Sequence, residues 1–166
     1  MKEAPASRRQ LAYLQDLPKK QMAVGVLLPN ALRQLLLVKP VYQEHWGLPG
    51  GVVEANESPV EAAYREVQEE LGLRVRILRC AGVDYFRRQV NGQLVEGLQI
   101  LFWGALLTEP QIQQIRLQTE ELEAYRFVEP GALSQFLPGS VARRLMPLLR
   151  YPHRCIYMEH GQPLSD

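Results

Sequence analysis

The chain has 166 residues, a formal net charge of +1, 46% hydrophobic residues and two cysteines. That length buries one ordinary core without disulfide or metal staples, and the near-neutral balance excludes a broad attraction to nucleic acid or an anionic membrane. No N-terminal stretch has the apolar run of a signal peptide or membrane span, and Cys80 and Cys155 stand in no metal-ligand spacing; the expectation is a cytoplasmic protein with free thiols and a small soluble partner.

Residues 1–21 read as a polar, basic N-terminal arm. Leu11, Leu14 and Leu17 predict a short amphipathic helix stopped by Pro18, suited to covering the domain rather than to targeting. Met22 to Leu28 is an apolar run ending at Pro29-Asn30 and reads as a buried strand, with a second strand over Leu35 to Val38. Lys39 and Tyr42 follow as candidates to touch phosphate and base; Lys39 reads equally well as a solvated strand end. Trp46-Gly47-Leu48-Pro49-Gly50-Gly51 then forms a loop with little side chain, where backbone can approach a ligand closely or simply turn tightly into a helix.

The helix start is marked by Ser58 as N-cap, Pro59 at the first helical position and Glu61 closing a capping box; Gly72 supplies the left-handed stop. At about 100° per residue, Val60, Ala63, Tyr64, Val67 and Leu71 share an arc expected to face a core. Glu66, Glu69 and Glu70 share a neighbouring arc at i, i+3 and i+4, where like charges repel. A solvated acidic face is the bland alternative, but such faces normally alternate in sign and Arg65 is the only cation among these carboxylates. Hard oxygen ligands on a rigid helix suit Mg²⁺ or Mn²⁺, held on carboxylates plus substrate phosphates.

Downstream, Val75 to Val83 reads as a strand, and Asn91-Gly92 predicts a hairpin turn into Leu94 to Leu107, whose nearly continuous apolar stretch from Gly97 suits an interior strand. Tyr85, Phe86 and Trp103 lie on these strands and offer stacking surfaces or ordinary packing. Arg87 and Arg88 are candidates for phosphate or ribose, or an exposed loop. Thr108 caps a short helix through Ile115, and a polar turn over Leu117 to Leu122 precedes a strand at Ala124 to Val128. Short helices follow around Leu133 to Phe136 and over Ser140 to Arg150, the second with an apolar stripe and Pro147 placed to kink it. Strands interleaved with helices on both sides of a sheet define an α/β layer fold.

Written as a spacing, Gly51, Glu57, Arg65-Glu66-Val67, Glu69-Glu70 and Gly72-Leu73 resemble the Nudix box at every position. The Trp-x-Leu-Pro-Gly-Gly approach resembles the MutT-like branch, and the flanks LPKKQMAVGVLL and EELEAYRFV resemble bacterial members with unassigned substrates. The resemblance covers Met22 to Arg150 and implies an α/β/α sandwich with a mixed central sheet and the box as a loop-helix-loop; it leaves residues 151–166 as a C-terminal tail. It also implies metal-dependent hydrolysis of a nucleoside diphosphate linked to another moiety. Carried over by position, Glu66, Glu69 and Glu70 ligate Mg²⁺ or Mn²⁺ with the Gly50 carbonyl, Glu57 supports the metal shell and Arg65 orients a helix glutamate. The general base falls to Glu66 or Glu69, or to an outer loop carboxylate that serves as base or extra ligand, Glu121 before Glu120; a solvated turn is the bland alternative for both.

The tracts that mark ADP-ribose, dinucleoside polyphosphate or NADH specificity in the family are missing after the box. A nucleoside triphosphate, normal or oxidised, is therefore the expected substrate, giving a monophosphate and pyrophosphate, with ADP-ribose or a nucleotide sugar as the alternative. A box with lost carboxylates would suggest a non-catalytic nucleotide sensor, and none is lost here. An RNA 5′-end pyrophosphohydrolase would require a basic groove, which the overall charge gives no reason to expect. The apolar patch Ile156 to Met158 and the N-terminal leucines suggest a homodimer, or an arm folded on its own domain. His45, His153 and His160 have no partners at metal spacing.

Overall fold

The computed structural model describes residues 7–164. In chain order the elements are α1 (Arg8–Asp16), β1 (Gln21–Leu27), β2 (Leu35–Pro40), α2 (Pro59–Leu71), β3 (Ile77–Val90), β4 (Gln93–Gly104), α3 (Glu109–Gln113), β5 (Leu122–Val128), a 3₁₀ turn (Pro130–Gln135), α4 (Gly139–Arg150), β6 (Ile156–Glu159) and β7 (Gln162–Pro163). The main sheet is mixed, in the order β1-β4-β3-β6-β7, and β2 pairs antiparallel with β5 in a second, two-stranded sheet. Among the described residues no helix is long and apolar enough to cross a membrane.

Side-chain alternation along the strands splits the core into two layers. Val24, Val26, Ile100 and Phe102 pack toward α2, while Leu27, Leu101 and Ala81 pack toward α4. The run Leu35 to Val38 feeds both, Leu36 and Val38 on one side and Leu35 and Leu37 on the other. A strand buried on both faces explains why it reads as continuous apolar sequence.

The glycine loop joins the two sheets. Val24 and Val26 donate to the Gly51 and Pro49 carbonyls, each at 2.8 Å, and Val38 and Gly47 exchange two bonds of 2.9 Å. The loop therefore closes the outer edge of β1, which would otherwise stand open. Gly50 has φ +142°, and a Cβ there would fall 2.3 Å from the Val24 carbonyl oxygen, so only glycine fits this crossing.

Several sequence expectations need correcting. Val60 and Tyr64, assigned to the core by helical period, are each 41% exposed, and the buried arc of α2 is Ala62, Ala63, Val67, Glu70 and Leu71. The arc has turned toward the carboxylates because α2 packs against β1, beside the glycine loop that takes Glu70. Arg87 and Arg88 lie not in a loop but in β3, paired with Glu96 and Val95. The helix α1 forms behind its Ser7 cap but has no buried residue, with Leu11 49% exposed, and the arm meets the sheet at its end, through Lys20 on Glu96 and Gln21 beside Gly97. Ile156 to Met158 belongs to β6, parallel to β3, with Met158 fully buried against its own chain. Cys80 and Cys155 are free thiols whose sulfurs approach to 3.4 Å.

Candidate active site

The capping box at Ser58 and Glu61 and the left-handed Gly72 fix both ends of α2. Between them Arg65 acts as a hub. Its Nε and one Nη grip both oxygens of Glu57, at 2.8 and 3.0 Å; its other Nη reaches Glu66 Oε1 at 2.9 Å and Glu69 Oε2 at 3.0 Å. A further bond of 3.0 Å to the Val52 carbonyl ties the group to the loop. This planar fork holds three carboxylates that would otherwise push apart. Glu57 also accepts from the Glu54 amide, so both its oxygens are occupied, and the Arg65 bonds lower its pKa.

Glu70 lies deeper, only 7% exposed, and accepts from the Gly50 amide at 2.9 Å. Burial, opposed by that amide and reinforced by Glu66, Glu121 and Glu69, pushes its pKa up to about 8. Burial also raises Glu66, with Arg65 working against the shift. The Glu66 carboxylate rests on Gly51, where an added Cβ would fall 2.3 Å from Oε1. The missing side chain at Gly51 is thus the space the carboxylate uses.

Glu121 arrives from outside the box. Arg116 and Gln118 donate to the last carbonyls of α2, at Leu71 and Glu70, satisfying a helix end that has no internal partners. That docking brings the following turn to the box, and the Glu121 carbonyl accepts from Val41 at 2.8 Å. Its charge is felt by Glu66, Glu70 and the Tyr42 phenol, whose pKa is raised by burial and then by Glu121, Glu70 and Glu66.

As they stand, no three described His, Cys, Asp or Glu side chains converge tightly enough to cage a metal ion. The donor set nevertheless fits a hard divalent cation. Glu66, Glu69 and Glu70 each keep one oxygen that accepts no hydrogen bond among the described residues, beside the glycine loop whose Gly50 amide holds Glu70. Such a set suits an ion that takes its remaining ligands from substrate phosphate and water.

The other sequence candidates divide. Tyr42, 71% exposed, lines a recess of about 290 Å³ with Gly50, Gly51 and Val52. Arg87 lines a neighbouring cleft of about 440 Å³. Tyr85 is committed elsewhere, its hydroxyl donating to Glu96 at 2.7 Å, and Glu96 also takes Lys20. Lys39 is likewise occupied, by the Gln43 carbonyl at 2.7 Å and Glu123 at 3.1 Å. Sequence reading missed Arg144 and Gln99, which line both the recess and the cleft; they lie on different elements and share no motif.

A profile of the NUDIX domain matches residues 19–149, so the chain belongs to the Nudix family. An uncharacterised Nudix hydrolase of Pseudomonas aeruginosa is 36% identical over 95 residues, 57% of this chain and 51% of that one. An RNA pyrophosphohydrolase of Pseudomonas paraeruginosa is 45% identical over 60 residues, 34% of this chain and 38% of that one. These matches span about half the relatives' length or less. The MutT protein of Methanosarcina mazei Go1 shares the fold with a TM-score of 0.67 at 23% identity, over 84% of this chain and 100% of that one.

Proposed function

We propose that this protein hydrolyses the phosphoric anhydride of a nucleoside diphosphate linked to a second moiety, with a nucleoside triphosphate as the substrate, giving a monophosphate and pyrophosphate. The supporting observation is the gathering of Glu66, Glu69, Glu70 and Glu121 around Arg65 and a glycine loop that opens onto a recess. Glu66, Glu69 and Glu70, with the Gly50 carbonyl, hold Mg²⁺ or Mn²⁺. When bound, the ion neutralises adjacent phosphate charges and lowers the pKa of a water.

Arg65 holds Glu66 and Glu69 in position and keeps them from spreading, while Glu57 anchors Arg65. Glu70 is fixed by the loop it supports. Water attacks one phosphorus of the bridge, its proton passes to a carboxylate, and the bridging P–O bond breaks with the electron pair leaving on the departing phosphate. The proton acceptor is Glu121 on its loop, or Glu66 or Glu69 on the helix; Glu121→Gln tests the first, since an unchanged kcat excludes the loop carboxylate as acceptor. Positioning and electrostatics supply most of the acceleration in such transfers.

A second reading, an RNA 5′-triphosphate end as substrate, draws support from the relatives named RNA pyrophosphohydrolase and from arginines that the near-neutral overall charge conceals. The test is phosphate and pyrophosphate release across normal and oxidised nucleoside triphosphates, ADP-ribose, nucleotide sugars, dinucleoside polyphosphates and 5′-triphosphorylated RNA, with Mg²⁺ and with Mn²⁺. Metal-dependent turnover that collapses in Glu69→Gln and Glu70→Gln is expected. Nucleotide binding without cleavage of any of them would leave a sensor instead.

A further inference from the structure

The cleft of about 440 Å³ lies between the N-terminal turn of α4 and the face of β1, β4 and β3 that α4 covers. Arg88, Arg143, Arg144 and His160 line it beside Phe86 and Gln99, and no described carboxylate does. In a chain of net charge +1 this is a local concentration of cations. Arg144 has a counter-ion in Asp84, whereas Arg88 and Arg143 make no ion pair among the described residues; like charges so placed repel, and a multiply charged anion relieves that repulsion.

Arg144 is the fixed member. Its Nε donates to Asp84 Oδ2 at 2.6 Å, and Asp84, 0% exposed, takes a second bond of 2.7 Å from the Gly161 amide in the turn between β6 and β7. The buried carboxylate thus holds one edge of the guanidinium. Its two Nη groups donate to nothing among the described residues, and Arg144 borders both the cleft and the recess at the glycine loop. Arg88 lies over the Phe86 ring at 5.5 Å, and Arg143 is exposed and makes no ion pair among the described residues. The N-terminal end of α4, where Ser140 lines the cleft, adds partial positive charge.

We propose that this cleft is a subsite for a phosphate lying beyond the cleaved bridge, so that the preferred substrate is a nucleoside diphosphate derivative carrying a further phosphate of its own. Guanidinium forks match phosphate oxygens, and a fork held in place by a buried carboxylate loses little freedom on binding. Phe86 offers a flat wall for the sugar or base attached to that phosphate. The inference rests on cleavage at the box as proposed above. A phosphate monoester on a small molecule and the internucleotide phosphate of a triphosphorylated RNA end share this chemistry.

The experiment compares initial rates with Mg²⁺ on matched pairs differing by one remote phosphate: NAD⁺ and NADP⁺, dephospho-coenzyme A and coenzyme A, a nucleoside triphosphate and its 3′-phosphate pppNp, the minimal mimic of an RNA end. In at least one pair the phosphorylated member is expected to show a KM lower by about tenfold. That preference should shrink toward unity in the Arg88→Ala/Arg143→Ala double variant and in Arg144→Lys, which keeps the charge but loses the fork. The responding pair identifies a small molecule or an RNA end. Equal KM in every pair that is cleaved overturns the subsite and leaves the hydrolase reading intact. If nothing is cleaved, calorimetry with inorganic tripolyphosphate in EDTA decides: binding lost in the double variant supports the subsite while the hydrolase reading falls, and no binding overturns it.

Discussion

The acidic face of the site comes from one short stretch, Gly50 to Glu70, with Glu121 added from a nearby loop, whereas the basic cleft gathers Asp84 and Arg88 from β3, Arg143 and Arg144 from α4 and Gly161 from the final turn. Within the stretch from Gly50 to Glu70 each side-chain contact spans 20 residues or fewer, from Gly50 to Glu70 at the longest. In the cleft the two bonds that fix Arg144 span 60 and 77 residues. The carboxylates proposed to hold a metal are set by helix pitch, a local property. The arginines proposed to recognise a more distant phosphate depend on how sheet and helix dock.

The sharpest break of that comparison is to remove a box carboxylate without touching the fold. Glu69→Gln, at a side chain 51% exposed, is expected to lower kcat by on the order of 10³-fold while the melting temperature of the metal-free protein stays put; steady-state kinetics beside a thermal melt checks both. Asp84→Ala tests the other side. Losing the partner of Arg144 and Gly161 should cost about 3 kcal/mol in urea unfolding, and a loss near zero would mean the cleft is not held by that pair.

A subtler change crosses between the regions. Gly51→Ala places a methyl where the Glu66 carboxylate rests, so Glu66 must move; kcat is expected to fall about 10²-fold with little change in stability. The smallest effect belongs to α1. Leu11→Ser is expected to change stability by less than about 0.5 kcal/mol, and a larger loss in the same unfolding assay would reveal a packing partner for that helix.

The same contrast explains what the sequence made legible. The caps of α2, the Asn91-Gly92 turn between β3 and β4 and the buried strand β1 all follow from neighbouring residues. The role of Arg65 as a hub was readable as the lone cation among carboxylates, and its three acidic partners lie within one loop and two helical turns. Val60 and Tyr64 misled because hydrophobic period cannot see that Glu70 would be buried against Gly50. Lys39 and the Tyr85 hydroxyl are engaged by Glu123 and Glu96, which come from other strands and so leave no trace in the neighbouring sequence. Arg144 left no local signal, since it resembles any basic residue on an amphipathic helix. Glu121 is named because the family resemblance implies an outer carboxylate in a loop beyond the box and Leu117 to Leu122 reads as such a turn, while the reason for its proximity, the capping of α2 by Arg116 and Gln118, is visible only in three dimensions.

The buried position of Asp84 also has a consequence for how the chain is made. Asp84 emerges during synthesis 60 residues ahead of Arg144 and 77 ahead of Gly161, the two groups that satisfy its oxygens. Closing α4 over β3 brings Arg144 to one carboxylate oxygen, but the other stays buried without a partner until Gly161 has appeared, which is costly. A nascent chain can therefore assemble the box helix and glycine loop early, but it cannot close the basic cleft until its final turn is translated. A product cut short before Gly161 would carry the acidic face without a finished cleft beside it.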